Sequence, residues 1–196
     1  MTVAAVVLAA GRGSRLEAPV AKPLLEHRGR PLVAHALDAA VASGLRPVVL
    51  VVGHQGEEVA HVAADFDGVT VVPAFAWADG ISQSLRAALE VLASDLTVDA
   101  VCVGLADQPR VGAEAYRRVA AAADAGAALA VATYDGHRGN PVAIARTLWP
   151  AARALTGDAG ARQLMDGSEV EVDCTGTGDP ADVDTLDDLR TLEEKS

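Results

Sequence analysis

An apolar run, Val3 to Ala10, stops at Gly11. The loop that follows carries Arg12, Gly13, Ser14 and Arg15, and Lys22 closes it. Glycines leave backbone N–H groups open to close approach, and the cationic side chains add charge. At the tip of a strand, a loop of this kind can wrap a polyphosphate. The pattern points to a nucleoside triphosphate site.

Other nucleotide loops also place glycine after a strand, and spacing separates them. A Walker A loop ends in Gly-Lys-Ser/Thr, and no Gly-Lys pair occurs in this loop. A dinucleotide fingerprint needs Gly-x-Gly-x-x-Gly and an acid after the second strand. Leu16 stands where the third glycine would, and Gly53 and His54 follow Val52 in place of the acid. A solvated turn would account for one Gly-x-Gly, but Arg15, Lys22 and Pro23 beside it favour the phosphate reading.

These residues need a scaffold to aim them. Strand-like runs at 3–10, 47–52, 69–72, 100–105, 128–133, 142–145 and 170–174 alternate with helical patterns at 31–43, 57–64, 82–93, 114–125, 148–155, 159–165 and 185–193. Pro31 suits a first helical turn and Gly44 ends that helix. Residues 134–141 read as a polar turn between two strands. The alternation predicts βαβ units and a single Rossmann-like, three-layer α/β/α domain over residues 1–196, with a mostly parallel sheet. Ligands of such sheets sit outside the carboxyl ends of the strands. Hydrophobic residues make up 51% and aromatics only 3%, so the core must be Val, Leu and Ala.

The formal net charge is -11, which excludes a nucleic-acid backbone or an anionic membrane as the main partner. Cys102 and Cys174 cannot make a disulfide framework or a Cys-rich zinc site. Met1-Thr2-Val3 offers no basic segment before its apolar stretch, so that stretch reads as a core strand and the setting as cytoplasmic. His27, His35, His54, His61 and His137 lack a zinc-ligand pattern and read as surface or packing residues.

Leu8-Ala-Ala-Gly-Arg-Gly-Ser-Arg-Leu16, with Lys-Pro-Leu-Leu at 22–25 and Gly-Arg-Pro-Leu-Val at 29–33, resembles the signature of nucleotidyltransferases with a GT-A-like fold. Within that group the chain is most similar to the molybdenum cofactor cytidylyltransferases and related MobA-like proteins. The stretch Gly80-Ile-Ser-Gln-Ser-Leu-Arg-Ala-Ala-Leu89 resembles the family's Gly-Met-Ser-x-Ser-Leu segment. Gly104-Leu-Ala-Asp-Gln-Pro109 resembles its Asp-Gln-Pro segment. Gly139-Asn-Pro-Val142, Gly157-Asp-Ala-Gly-Ala-Arg162 and Val183-Asp-Thr-Leu-Asp-Asp-Leu189 match later segments, in the family's order. Two features depart from the pattern. Arg15 and Lys22 stand seven positions apart, a spacing that resembles methylerythritol-phosphate cytidylyltransferases and sugar-phosphate uridylyltransferases, and Asn140 replaces the usual His.

The resemblance implies that a phosphate oxygen of an acceptor attacks the α-phosphorus of a nucleoside triphosphate, with Mg²⁺ present and pyrophosphate leaving. It implies nucleotide contacts from Leu8, Ala9, Ala10, Gly11, Arg12, Gly13 and Ser14, with Gly80 and Ser84 in the base pocket. Ala9-Ala10-Gly11 resembles the form common in enzymes that use CTP or UTP, which favours CTP. The implied acceptor is molybdopterin, with a molybdoenzyme as recipient. A sugar or polyol phosphate stands as the alternative acceptor, and a non-catalytic nucleotide-binding or chaperone protein as the alternative role.

Within that reaction Arg15 can clamp phosphate oxygens bidentately and Lys22 can act as a point charge. Asp107 ends the 100–105 strand beside the loop and is the first candidate Mg²⁺ ligand, with Asp184 the second. Both have a plainer reading, Asp107 capping the following turn and Asp184 capping the last helix. Ser82 or Ser84 could likewise cap a helix. His137 and Arg138 could touch the acceptor, and Trp77 and Trp149 are core residues or pocket walls.

Overall fold

A computed structural model describes residues 1–13 and 20–194 of the chain. The strands in chain order are β1 (Thr2–Ala9), β2 (Glu26–His27), β3 (Arg30–Pro31), β4 (Val48–Val52), β5 (Val69–Pro73), β6 (Val98–Leu105), β7 (Leu129–Tyr134), β8 (His137–Ala145) and β9 (Val170–Asp173). The α-helices are α1 (Leu32–Ala42), α2 (Gly56–Ala63), α3 (Ile81–Ala93), α4 (Ala113–Asp124), α5 (Trp149–Ala154) and α6 (Leu186–Glu194). No helix among the described residues is long and apolar enough to cross a membrane.

Seven strands form one sheet in the order β5-β4-β1-β6-β8-β7-β9, and all neighbours are parallel except at β8. Helices cover both faces. Val3, Ala5, Val7 and Ala9 of β1 face α1, α2 and α4, where Leu37, Val59 and Tyr116 pack. Ala4, Val6 and Leu8 face the other way, onto Leu85 and Leu89 of α3 and Trp149 of α5. Burial on both sides is why these strands read as unbroken apolar runs. The core closes tightly with few rings: a Cβ on Gly104 of β6 would lie 1.9 Å from the Tyr116 hydroxyl.

The crossover through α1 carries the chain from β1 to β4 on one side, and α3 returns it to β6 on the other side of β1. The carboxyl ends of β1 and β6 therefore form a switch point, where loops diverge and leave a crevice. Two bonds hold the neighbouring segments to β1 there. The Ala106 N–H donates to the Leu8 carbonyl at 3.0 Å, and the His54 N–H donates to the Ala10 carbonyl at 3.1 Å.

Three segments differ from their sequence-based reading. The polar turn expected at 134–141 shrinks to Asp135 and Gly136, whose φ values of 50° and 79° close a β7–β8 hairpin, so β8 starts at His137. The helix expected at 159–165 is a single 3-10 turn, Ala161–Leu164. A small β2–β3 hairpin, turning through Arg28 and Gly29, lies between the loop and α1.

Candidate active site

Lys22 opens a short 3-10 turn, Lys22–Leu24, and its side chain is buried. Its Nζ donates to Asp107 Oδ2 at 2.6 Å and to Asp184 Oδ1 at 2.7 Å. Burial alone would push the ammonium pKa down, but the Asp107 and Asp184 carboxylates outweigh it and raise the value above 10.5. Lys22 is therefore charged at neutral pH.

Asp107 stands two residues beyond the end of β6, and its backbone carbonyl accepts from the Val183 N–H at 2.9 Å. That bond ties the segment bearing Asp184 to the switch point. The contacts of the two carboxylates among the described residues lead to Lys22. The Asp107 carboxylate faces Lys22, and its buried Oδ1 has no hydrogen-bond partner. At α6 the reciprocal cap is made by Thr185 and Asp188: the Thr185 N–H donates to Asp188 Oδ2 at 2.7 Å, and the Asp188 N–H to Thr185 Oγ1 at 3.1 Å. This leaves the Asp184 carboxylate to meet Lys22.

A cleft of about 460 Å³ opens above these groups, lined by Leu8, Ala9, Ala10, Gly11, Arg12, Gly13, Lys22, Trp77, Gly80, Ser84 and Asp107, among others. Gly13 takes φ +67°, and a Cβ there would sit 2.7 Å from the Lys22 Cβ, so the loop needs this glycine to lie on Lys22. Among the described residues no atom lies within 4 Å of where a Cβ on Gly11 would stand. Arg12 is exposed at the cleft. Gly80 precedes α3 at φ +109°, with the Gly157 carbonyl carbon only 2.2 Å from where a Cβ would stand. Neither Ser82 nor Ser84 caps α3; the Ser82 N–H donates instead to the Gly157 carbonyl at 3.2 Å.

A second cleft of about 380 Å³ shares Leu8, Ile81, Leu105 and Asp158 with the first and extends past Asn140, Arg162 and Asp182. Asn140 Nδ2 donates to Gln108 Oε1 at 3.1 Å, and Gln108 Nε2 donates to the Pro180 carbonyl at 2.8 Å. Desolvation, then the nearby Asp107 carboxylate, raises the Asp182 pKa above its usual range.

The residues fit a divalent cation. No cluster of three or more His, Cys, Asp or Glu that could hold a metal occurs among the described residues. The site instead offers the Asp107 and Asp184 carboxylates, and Asp107 keeps an unpartnered Oδ1. Mg²⁺ is commonly held by one or two carboxylates together with phosphate oxygens and water.

The structure brings together every candidate site residue it describes: Leu8 to Gly13, Lys22, Gly80, Ser84 and Asp107 line the first cleft, and Asp184 joins through Lys22. Ser14 and Arg15 lie outside the described residues. His137 and Arg138 stand apart from both clefts, and Arg138 is ion-paired to Glu169 and Glu171 at 2.6 and 2.7 Å. Trp149 is core, whereas Trp77 is a cleft wall. Gln108 and Asp182 escaped the sequence reading. Gln108 had a signal in its place beside Asp107, but Asp182 is one carboxylate in an acidic stretch and had none.

The fold and the cleft define an α/β domain of the nucleotidyltransferase type. The chain belongs to the MobA-like NTP transferase domain family, which matches residues 5–172. The bifunctional protein GlmU of Anaeromyxobacter sp. strain Fw109-5 is 41% identical over 133 residues, 67% of this chain and 27% of that protein. The bifunctional enzyme IspD/IspF of Novosphingobium aromaticivorans is 37% identical over 94 residues, 48% of this chain and 24% of that protein. The chain thus spans about a quarter of the length of these curated relatives. The crystal structure of Rv0371c from Mycobacterium tuberculosis H37Rv superposes with a TM-score of 0.81 at 32% identity, covering 99% of both chains. A structure of Rv0371c in complex with manganese gives 0.79 at 30% identity, covering 100% of both.

Proposed function

We propose that this chain transfers a nucleoside monophosphate from a nucleoside triphosphate to a phosphorylated acceptor and releases pyrophosphate. The observation that carries the reading is the convergence of Lys22, Asp107 and Asp184 under the glycine loop at the switch point. Such transfer needs positioning and charge neutralisation more than covalent chemistry. The backbone of Gly11 to Gly13 and the Arg12 guanidinium bind the β- and γ-phosphates. Lys22 balances charge near the α-phosphate, and Asp107 and Asp184 hold the divalent cation, Mg²⁺. When bound, that cation draws charge from the phosphate oxygens. That Rv0371c forms a complex with manganese supports a divalent ion in this reading.

CTP is the donor on this reading and molybdopterin the acceptor, supported by the family match and by motifs in family order along the chain. A sugar or polyol phosphate is the second acceptor reading, supported by the GlmU and IspD/IspF relatives and by the seven-residue Arg15 to Lys22 spacing. On this reading residues 1–196 act as one catalytic domain, and the reaction takes place in the cytoplasm. Thermal melting with Mg²⁺ and each of the four triphosphates tests donor binding, since only a ligand of the native state raises Tm. CTP is expected to raise it most. Incubating the preferred donor with molybdopterin and with a panel of sugar and polyol phosphates then decides the acceptor. No stabilisation by any triphosphate would remove the proposal.

A further inference from the structure

The first cleft has two ends on opposite sides of β1. Asp107 lies at the end of β6, with Lys22 and Asp184 against it. On the other side, β4 runs into Gly53 and His54, and β5 leads to Trp77. Trp77 begins a 3-10 turn, Trp77–Asp79, that is locked at both ends. A Cβ on Gly53 would stand 2.7 Å from both the Trp77 Cβ and the Ala10 carbonyl oxygen, so Trp77 reaches the loop only because residue 53 is glycine. At its other end Gly80 is wedged against Gly157. The half-buried indole leans on the His54 imidazole, with ring centroids 5.2 Å apart and planes tilted by 51°. Trp77 is also the one aromatic side chain among the described residues lining this cleft, in a chain with only 3% aromatics.

We propose that Trp77 is the wall against which the nucleobase packs, with the triphosphate running from it across Gly11 to Gly13 toward Asp107. The inference rests on the proposed nucleotidyl transfer and adds a residue that sets donor affinity. The locked backbone holds the ring in place before the ligand arrives, so little freedom is lost on binding. Every base has a π-face, so the indole strengthens binding of all nucleotides and leaves the choice among them to polar groups such as Ser84.

Trp77 and Trp149 are the two tryptophans of the chain. Trp149 is buried in the core, where its indole N–H donates to the Ile144 carbonyl at 3.2 Å. In the variant Trp149→Phe, Trp77 is the remaining tryptophan fluorophore. Titration with CTP and Mg²⁺ is expected to give a saturable change in its emission. Inorganic tripolyphosphate is expected to compete with CTP without producing that change. Trp77→Ala should weaken CTP binding by ~10-fold while leaving tripolyphosphate binding within about twofold, and Trp77→Phe should recover most of the loss. Equal weakening of both ligands, no weakening of CTP, or the same emission change with tripolyphosphate would overturn the assignment while leaving nucleotidyl transfer standing. Absence of binding by any triphosphate would overturn both.

Discussion

Lys22 Nζ lies 2.6 Å from Asp107 Oδ2, so a cation of the protein itself occupies the position beside the carboxylate that would hold a metal. Asp184 completes the arrangement from 162 residues away in sequence. On the proposed function, metal and ammonium would compete for the same two carboxylates, and phosphates entering the cleft would give Lys22 an alternative partner. Binding of the divalent cation and the triphosphate should therefore be coupled.

Lys22→Gln tests this coupling. Without nucleotide, the variant is expected to bind Mn²⁺ more tightly than the wild type, as read by electron paramagnetic resonance. It should also lose about 1–2 kcal/mol of stability, because its carboxylate partners are partly solvated. The raised Lys22 pKa fixes the sign of the pH dependence. Its stabilisation is fully present below 10.5 and is lost as pH rises through the higher folded-state value. The gap to the variant, measured by urea unfolding, should hold from neutral pH and close only in strong alkali.

Asp107→Asn keeps the shape of the side chain and removes its charge. Turnover is expected to fall by ~10²-fold or more, with the fold retained by circular dichroism. Unchanged turnover would remove Asp107 from the chemistry.

Two glycines separate space kept for a ligand from space required by the fold. Gly80→Ala places a Cβ 2.2 Å from the Gly157 carbonyl carbon at φ +109°, and should destabilise the protein by about 1–3 kcal/mol. Gly11→Ala meets no atom of the described residues within 4 Å. It should leave Tm nearly unchanged while weakening triphosphate binding, and calorimetry of both variants checks the contrast.

Asp182 carries a raised pKa, from desolvation first and then from Asp107. Its ionisation thus opposes folding once pH passes the unfolded value, and the penalty vanishes where both states are protonated. Asp182→Asn is expected to raise Tm at pH 7 and to leave it unchanged at the acid end of a melting series.

The β1 loop was legible because its chemistry is local: glycines and cations follow an apolar run within one short segment. The strands and helices facing both sides of the sheet were legible for the same reason, since each carries its own periodicity. Strand order was not. β8 runs antiparallel between β6 and β7, yet residues 142–145 look like any buried parallel strand, and the polar stretch 137–140 before them masks the start of β8. The ion-paired core of the site was half legible. Asp107 could be picked from its place after a strand, but its bond to Lys22 spans 85 residues and no local pattern records it. For Asp184, sequence left capping and metal binding open, and only the folded chain shows the reciprocal cap made by Thr185 and Asp188 and the Asp184 carboxylate against Lys22.

The most direct test follows label from the α-phosphate of CTP in a single incubation with Mg²⁺ and each candidate acceptor, while pyrophosphate is counted. Nucleotidyl transfer predicts label on one phosphorylated acceptor and an equal amount of pyrophosphate, both lost in Asp107→Asn. Tight binding of CTP with no label reaching any acceptor and no pyrophosphate released would contradict it.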